Sequence, residues 1–428
     1  MDLDGTALTL RSRVLTSAII IILFVFGATG SALRKPATQG FDEVAHLSYV
    51  AYLQSVDLKW PRFDQMRMID PATFKFTADQ NYLNHPPFYY GLIAILGPNI
   101  LERPSSLMAV RLLNVTLAVF GLIALLLLAR QMRLGRLEFY AFAAMIAATP
   151  VLAPLAGSAN NDNLGFTGGA ISILGLYAYT ASLGRSWLIM ACCGMVLASA
   201  AKLTGLILVG TTLAVTFALL PTRSRLNRID LLIVAGSLLV AATPYLVFMV
   251  QYGSPTPDTP AQIGLLRNGA DISGWASEPR MTPAVYVFFF LKSFLMEWMP
   301  VLQPRNSLQL LLLALPAGIT VLAVGGGVVS LRAISNRHAA PSDFLVVAGM
   351  VSIALTLAIH IAFSYRRHLQ WGWMMDAYPR YYLPLIAIVP MAALALASAI
   401  GSSRLRTIVV CFLVGAPIAF QVFGAPIG

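Results

Sequence analysis

Residues 41–49 read Phe-Asp-Glu-Val-Ala-His-Leu-Ser-Tyr and follow shortly after the first long apolar run of the chain. Asp42 and Glu43 thereby place two adjacent carboxylates at the mouth of a predicted membrane span. Ionisable groups near a bilayer are costly, and they usually face a protein interior or a water-filled cavity. The stretch therefore predicts a polar site at a membrane surface, carried by a membrane-spanning fold.

The composition around this stretch is that of a membrane protein. The chain has 428 residues, of which 58% are hydrophobic and 11% are charged, whereas soluble proteins carry roughly 25% charged residues. Because a helix satisfies all of its backbone polar groups internally, such a chain crosses lipid as helices of about 20 residues. The sequence therefore predicts an all-α polytopic membrane protein with a single transmembrane domain (1–428) and no separate soluble domain.

Eleven apolar runs are predicted as membrane spans. They cover residues 14–32, 107–129, 139–157, 164–182, 187–201, 204–220, 230–250, 307–331, 343–363, 382–400 and 407–424. The core of a cleaved signal peptide has about 7–15 residues, and the first run is longer. We therefore expect the first run to be retained as a span.

The charges between the spans predict the orientation. The short connections rich in arginine all fall on one side of the membrane, and the positive-inside rule places that side in the cytoplasm, together with the N-terminus. The opposite face holds loops 33–106, 158–163, 251–306 and 364–381, with 13 of the 18 acidic residues. We expect a bacterial inner (plasma) membrane protein with an extracytoplasmic site. We assign the net charge of the chain, +11, to contacts with lipid rather than with nucleic acid.

The two large outer loops also contain apolar stretches. Residues 86–101 predict a helix that lies along the membrane surface. Residues 283–300 are rich in aromatic residues, and they predict an interfacial or re-entrant segment with side chains at headgroup depth. A full span at this second stretch would move the later basic connections to the outer side, against the charge pattern.

Among the charged residues predicted on the outer face, a short list stands in positions that suggest a site. It contains the acids Asp42, Glu43 and Asp162 and the cations Lys202, Arg366, Arg367 and Arg380, with Arg280 as a further candidate. A carboxylate can accept the proton of an attacking hydroxyl, and fixed cations can bind a phosphate and stabilise it as it leaves. The list therefore indicates a transferase that uses a phosphate ester. Outside the cytoplasm, we expect that ester to be a membrane lipid.

Five segments along the chain resemble the GT-C superfamily of integral membrane glycosyltransferases, and most closely its branch of protein O-mannosyltransferases and lipid A aminoarabinose transferases. The segments are Phe-Asp-Glu-Val-Ala-His (41–46), Asn-His-Pro-Pro-Phe-Tyr-Tyr (84–90), Ser-Ala-Asn-Asn-Asp (158–162), Ala-Lys-Leu-Thr-Gly (201–205) and Pro-Arg-Tyr-Tyr-Leu-Pro (379–384). Ala201 stands where the family usually has threonine. The resemblance implies a GT-C fold of about 11 transmembrane helices, with juxtamembrane helices in a large first outer loop.

The resemblance also implies an activity. The chain would transfer a sugar, with inversion, from a polyprenyl-phosphate donor to a hydroxyl acceptor in the cell envelope, which would be a lipid, a glycan or a protein. Its other partners would be membrane lipids and not nucleic acid.

The resemblance assigns roles to individual residues. Asp42 would be the general base, Asp162 would position the sugar or the acceptor, and Glu43 would orient the site or bind a metal. The donor phosphate would be bound by Lys202, Arg366, Arg367 and Arg380, and further substrate contacts would come from His46, His85, Tyr89 and Tyr381.

A metal site is not predicted by any spacing of Cys, His and acidic residues, and no cofactor is firmly implied. Two or three carboxylates can nevertheless bind a divalent cation through their oxygens, so Mg²⁺ or Mn²⁺ stays an alternative.

Each candidate residue also has a simpler interpretation. The acids can cap helices or turns, the histidines can be structural, Lys202 can extend to a lipid headgroup, and the arginines can contact lipid phosphates nonspecifically. For the whole chain, the main alternative is a lipid or lipid-linked sugar transporter or flippase, which predicts charges at mid-span and broken spans in matching halves. A non-catalytic assembly protein is a third possibility.

Overall fold

The computed structural model describes residues 10–102, 105–221, 227–272, 277–297, 307–372 and 378–424. Its α-helices are α1 (Leu10–Arg34), α2 (Glu43–Ser55), α3 (Phe88–Leu96), α4 (Ser106–Gln131), α5 (Arg136–Ala147), α6 (Leu152–Ala156), α7 (Asp162–Ser182), α8 (Arg185–Ala201), α9 (Leu203–Leu219), α10 (Arg228–Tyr252), α11 (Pro260–Ile272), α12 (Pro283–Glu297), α13 (Ser307–Ser335), α14 (Pro341–Trp371), α15 (Ile388–Ala399) and α16 (Ser403–Gly424). Short 3-10 helices cover Ala37–Gln39 and Pro379–Leu385. The prediction of a helical membrane fold is confirmed.

One small sheet was not predicted. Strands β1 (Arg67–Ile69) and β2 (Phe76–Gln80) pair in antiparallel fashion within the segment 33–106, which was predicted as the first outer loop. The Ile69 backbone N–H donates to Ser48 Oγ at 2.9 Å, so the hairpin is attached to α2.

Seven of the described helices are individually long and apolar enough to cross a membrane: α1, α4, α7, α10, α13, α14 and α16. The 3-10 helix Pro379–Leu385 and α15 together meet the same test, with a bend of 65° between them. Helices α8 and α9 have 17 residues each, which is short for a span of about 20. The count of eleven spans therefore stays a prediction beyond these seven or eight.

Two predicted boundaries differ from the structure. The span predicted at 139–157 is split into α5 and α6, because Pro150 disfavours helical geometry at the residue before it. The outer loop predicted at 364–381 begins inside α14, which stays helical to Trp371. The end of an apolar run marks where a helix leaves lipid, and a helix can continue beyond that point with polar residues.

Helix α7 is the centre of the bundle, and glycines allow its neighbours to approach. A Cβ atom added at Gly168 would lie 2.4 Å from the Ala198 backbone N, and one added at Gly169 would lie 2.0 Å from the Pro384 carbonyl O. Small residues let helix backbones pack closely in membranes. As a result, the N-terminus of α7 lies beside the α8–α9 junction and the 3-10 helix before α15.

The first outer loop forms a second apolar core on top of the bundle. Tyr49 of α2 and Tyr90 of α3 stack with ring centroids 3.8 Å apart. The surface helix predicted at 86–101 is found as α3, which is shorter because Pro86 and Pro87 precede it and Pro98 follows it. The stretch predicted as interfacial at 283–300 contains α12, and its residues 298–300 lie outside the described residues.

Candidate functional site

Asp42 lies at the turn that starts α2, with its carboxylate directed at two donors. Its backbone is left-handed, with φ of 60°, a conformation that Asp adopts more readily than most residues. Arg380 Nη2 donates to Asp42 Oδ2 at 2.8 Å, and Tyr82 Oη donates to Asp42 Oδ1 at 3.0 Å. The side chain is nevertheless 41% exposed, so the carboxylate remains accessible to a ligand.

Glu43 is the next residue and is fully buried. Arg111 of α4 donates to both of its carboxylate oxygens, at 2.9 and 2.5 Å, and the Ala159 backbone N–H adds a third bond at 2.7 Å. Arg111 also donates to the carbonyl oxygens of Ala32 and Lys35. Glu43 therefore ties α2 to α1, α4 and the 158–163 turn, which fits the predicted orienting role.

A buried ion-pair cluster lies behind Asp42. Lys202 Nζ donates to Asp162 Oδ1 at 2.7 Å, and Arg380 Nε lies 3.4 Å from Asp162 Oδ2. Each of these three residues exposes less than a tenth of its surface. We call Asp42, Asp162, Lys202 and Arg380 the ion-pair cluster; its four formal charges sum to zero.

Two atoms of the ion-pair cluster have no hydrogen-bond partner within the described residues: Asp162 Oδ2 and Arg380 Nε. Both are buried, and the contact between them is the ion pair at 3.4 Å, which is longer than an ordinary N–H···O hydrogen bond. A ligand that offered an acceptor to Arg380 Nε would satisfy one of them. The cluster therefore has unused capacity for an anionic oxygen.

Aromatic rings frame the two cations. The Arg380 guanidinium carbon lies 4.9 Å from the ring centroid of Tyr378 and 5.4 Å from that of Phe41. Lys202 Nζ lies 4.2 Å from the ring centroid of Tyr381. Such contacts favour cations while excluding water from their surroundings. They hold the positive charges in place beside the carboxylates, and they bring the predicted contact residue Tyr381 into the site.

His46 lies under the ion-pair cluster and is 1% exposed. Its Nδ1 is 3.0 Å from Tyr90 Oη, and its Nε2 is 3.1 Å from Asn160 Nδ2. Burial lowers the pKa of His46 well below 6.5, and Lys202 and Arg380 lower it further. A neutral imidazole with both nitrogens engaged supports the structural interpretation of this residue.

His85 and Tyr89 differ in their access to the site. The His85 ring is only partly buried and lies parallel to His46, with ring centroids 6.2 Å apart. Burial lowers the pKa of His85 well below 6.5, and the nearby charge of Lys202 lowers it further. Tyr89 is buried and donates to Asn114 Oδ1 at 2.8 Å. His85 therefore borders the ion-pair cluster, whereas Tyr89 supports it from within the protein.

Arg366 and Arg367 are not brought into the ion-pair cluster. Arg367 is buried and donates from Nη2 to Asp258 Oδ1 at 2.8 Å, while Arg366 is exposed on α14. The segment around Asp258 also contacts the first outer loop, where Asn84 Nδ2 donates to the Pro257 carbonyl at 2.7 Å. Of the predicted phosphate ligands, the structure thus gathers Lys202 and Arg380 around the carboxylates.

Among the residues that contact the predicted site residues, the sequence analysis missed Arg111, Tyr82 and Asp258. Arg111 had a signal, because an arginine inside an apolar span needs a buried partner. Tyr82 and Asp258 lie in loops, and no local pattern shows which distant residue a loop side chain contacts. Their roles depend on the tertiary structure.

A metal site has no obvious ligand group among the described residues, where no three or more His, Cys, Asp or Glu side chains gather in a suitable arrangement. Asp42 and Asp162 approach each other through Arg380, whose positive charge occupies the space between the two carboxylates. Both acids are thus engaged by the same guanidinium group.

Comparison with solved structures identifies the fold. ArnT of Cupriavidus metallidurans bound to undecaprenyl phosphate superposes with a TM-score of 0.51 at 13% identity, and its apo state with 0.51 at 15%; each match covers 92% of this chain and 61% of ArnT. An oligosaccharyltransferase of Archaeoglobus fulgidus, tethered to an acceptor peptide with the NVT sequon, gives 0.52 at 14% identity, covering 95% of this chain and 54% of that one.

These matches are structural only. No family model matches the sequence, and no curated protein matches it either. This chain spans about three fifths of the length of ArnT and about half that of the oligosaccharyltransferase. Both solved proteins are GT-C glycosyltransferases, and the chain has the GT-C fold.

Proposed function

We propose that this chain, which has the GT-C fold, is a membrane glycosyltransferase that transfers a sugar from a polyprenyl-phosphate donor to a hydroxyl acceptor. The observation that carries the proposal is the ion-pair cluster. Four distant segments of the chain bring an accessible carboxylate, Asp42, to two buried cations at one end of the helix bundle. ArnT, which shares the fold, is described as binding undecaprenyl phosphate.

Arg380 and Lys202 would bind the phosphate of the donor. Arg380 offers its unpaired Nε–H, and guanidinium groups bind phosphate oxygens through paired donors. Lys202 adds a fixed positive charge close by. Both cations would stabilise the negative charge that stays on the lipid phosphate when the sugar leaves.

Asp42 would act as the general base. The acceptor hydroxyl gives its proton to the carboxylate while its oxygen bonds to the anomeric carbon. The bond from that carbon to the phosphate oxygen breaks, and its electron pair stays on the lipid phosphate. Attack and departure on opposite faces of the sugar invert the anomeric centre, through an oxocarbenium-like transition state. The phosphate is a good leaving group, so no general acid is required.

Asp42 is hydrogen-bonded to Arg380 in the structure, so binding of the sugar donor would have a second effect. While Arg380 donates to Asp42 Oδ2, that oxygen is occupied and is not free to accept the proton of an acceptor hydroxyl. A phosphate of the sugar donor that bound Arg380 would weaken this contact. Tyr82 would then be the remaining hydrogen-bond donor to Asp42. Binding of the donor and activation of the base would then be one event.

The remaining site residues would position the reactants. Asp162 holds Lys202 and lies beside Arg380, so it would keep the two cations in place or contact the sugar. His85 and Tyr381 border the ion-pair cluster and would contact the sugar or the acceptor. Arg366 and Arg367 would act outside this phosphate subsite.

We place the site on the extracytoplasmic face of a bacterial inner membrane. The proposal depends on the basic connections, which the positive-inside rule assigns to the cytoplasm. A reporter fused after residue 225 should read as cytoplasmic, and a reporter fused in the β1–β2 hairpin should read as external. The reverse readings would overturn this orientation.

Transport is the main alternative. A transporter is expected to carry charged residues near the middle of broken spans. The ion-pair cluster instead lies at helix ends: Asp162 begins α7, Lys202 separates α8 from α9, and Asp42 precedes α2. This placement favours transfer at the membrane surface.

The proposal is tested by titrating undecaprenyl phosphate into the purified chain. We expect the wild type and R404A, which removes an exposed arginine at the other end of the bundle, to bind the lipid alike. R380A should bind it at least about tenfold more weakly, because a charge-assisted hydrogen bond contributes about 1.5–3 kcal/mol. Equal binding by R380A would refute the phosphate subsite.

A further inference from the structure

A cavity opens at the opposite end of the bundle from the ion-pair cluster. It has a volume of about 860 Å³ and lies between the end of α4, the end of α7 and the start of α8. Helix α7 begins at Asp162 in the ion-pair cluster and ends at Ser182 in this cavity. Its 21 residues correspond to about 30 Å, which matches the thickness of the hydrocarbon core of a bilayer. The cavity therefore opens at the other membrane surface.

The lining of the cavity combines charge with apolar surface. Arg130 and Arg133 are its exposed cations, and Leu127, Leu174 and Met190 form part of its apolar wall. Tyr177 and Trp187 also line it, and residues of these two types are enriched at headgroup depth. The lining is complementary to a phospholipid, which presents a phosphate next to its acyl chains.

Among the described residues the two arginines have no acidic partner, whereas two other arginines on the same surface do. Arg185 pairs with Asp230 at 3.0 Å, and Arg406 pairs with Glu138. No ion pair or side-chain hydrogen bond is formed by Arg130 or Arg133 with the part of the chain that the structure describes. The charges of Arg130 and Arg133 are therefore not offset by an ion pair with the described residues at the cavity.

We propose that this cavity binds an anionic phospholipid of the adjacent leaflet. Its phosphate contacts Arg130 and Arg133, and an acyl chain lies along Leu127, Leu174 and Met190. Basic pockets between transmembrane helices bind anionic headgroups in this way. The site is independent of the proposed transfer reaction, since the two lie at opposite ends of α7.

The test measures which lipid stays with the purified full-length chain. The protein is prepared in detergent with equal amounts of phosphatidylglycerol and phosphatidylcholine, and bound lipids are counted by native mass spectrometry. We expect a preference for phosphatidylglycerol that falls about tenfold or more in R130Q/R133Q, since each arginine near an anionic headgroup contributes about a factor of five.

Two further variants keep the test specific. A181W fills the cavity without changing charge, and it should also lose the bound phosphatidylglycerol. R332Q/R337Q removes two exposed arginines of the α13–α14 connection, and it should keep the preference. The proposal would be overturned if R332Q/R337Q lost the bound phosphatidylglycerol to the same extent. It would also be overturned if the wild type retained phosphatidylcholine equally, or if inorganic phosphate displaced the lipid.

Discussion

Asp42 and Glu43 are adjacent in sequence and lie in two different environments. Glu43 is fully buried and accepts three hydrogen bonds, from Arg111 and the Ala159 backbone. Asp42 is 41% exposed and accepts from Arg380 and Tyr82. The first carboxylate has its bonding capacity filled by the protein, whereas the second is accessible to a substrate.

On the proposed function, the difference separates a structural acid from a reactive one. The Glu43 carboxylate joins four segments and is needed for the fold. Its partner Arg111 offers no hydrogen-bond donor to a ligand. A carboxylate at the edge of a neutral ion-pair cluster can exchange its partner when an anion arrives. The comparison therefore predicts opposite effects of two neighbouring substitutions, one on folding and the other on chemistry.

Loss of the Glu43 charge should have the largest effect. E43Q leaves Arg111 buried without its counterion, and breaking a buried ion pair in this way costs about 3–5 kcal/mol. We expect a large fall in the melting temperature in detergent or failure to accumulate in the membrane. E102Q changes an exposed glutamate and serves as the control. A normal melting temperature for E43Q would contradict the structural role.

Loss of the Asp42 charge should affect catalysis and leave folding intact. D42N keeps the shape of the side chain but removes the proton acceptor, so we expect sugar transfer to fall by about 10²- to 10⁴-fold. Mass spectrometry of envelope lipids and glycans measures the product in cells that carry each variant. D79N, at an exposed position of β2, is the matched control. Normal product from D42N would remove the proposed base.

The stability of the folded protein should depend on pH because of His46, which lies beneath the ion-pair cluster. The folded state keeps His46 neutral because burial lowers its pKa well below 6.5. Below pH 6.5 the unfolded chain binds a proton that the folded chain does not, so stability falls as pH falls. At pH 5.5 this amounts to at most about 1.4 kcal/mol. The melting temperature of H46Q should show a weaker pH dependence than that of the wild type; an unchanged dependence would contradict the neutral state.

Removal of the Tyr82 hydroxyl should have the smallest effect. Y82F loses one hydrogen bond to a partly exposed carboxylate, and we expect transfer to fall about threefold. Y140F alters a tyrosine at the other end of the bundle and should leave transfer unchanged. A loss as large as that of D42N would give Tyr82 a role beyond orienting Asp42.

The sequence predicts much of the ion-pair cluster, because charges are rare in this chain. Asp162, Lys202 and Arg380 each adjoin an apolar run, and a charge at such a place needs a partner. The sequence alone does not show the partners: Arg367 lies next to Arg366 in a basic pair, and only the folding of the 251–306 loop brings it to Asp258. Similarly, the contact of Tyr82 with Asp42 depends on the irregular segment that follows β2, which has no periodic pattern.

The contact between Asp42 and Arg380 is tested most directly by the affinity for undecaprenyl phosphate. If the carboxylate competes with the lipid phosphate for Arg380, D42N should bind the lipid several-fold more tightly than the wild type, although its sugar transfer is strongly reduced. Failure of the wild type to bind the lipid would refute the proposed donor. Binding by the wild type with equal or weaker binding by D42N would contradict the competition on which the account depends.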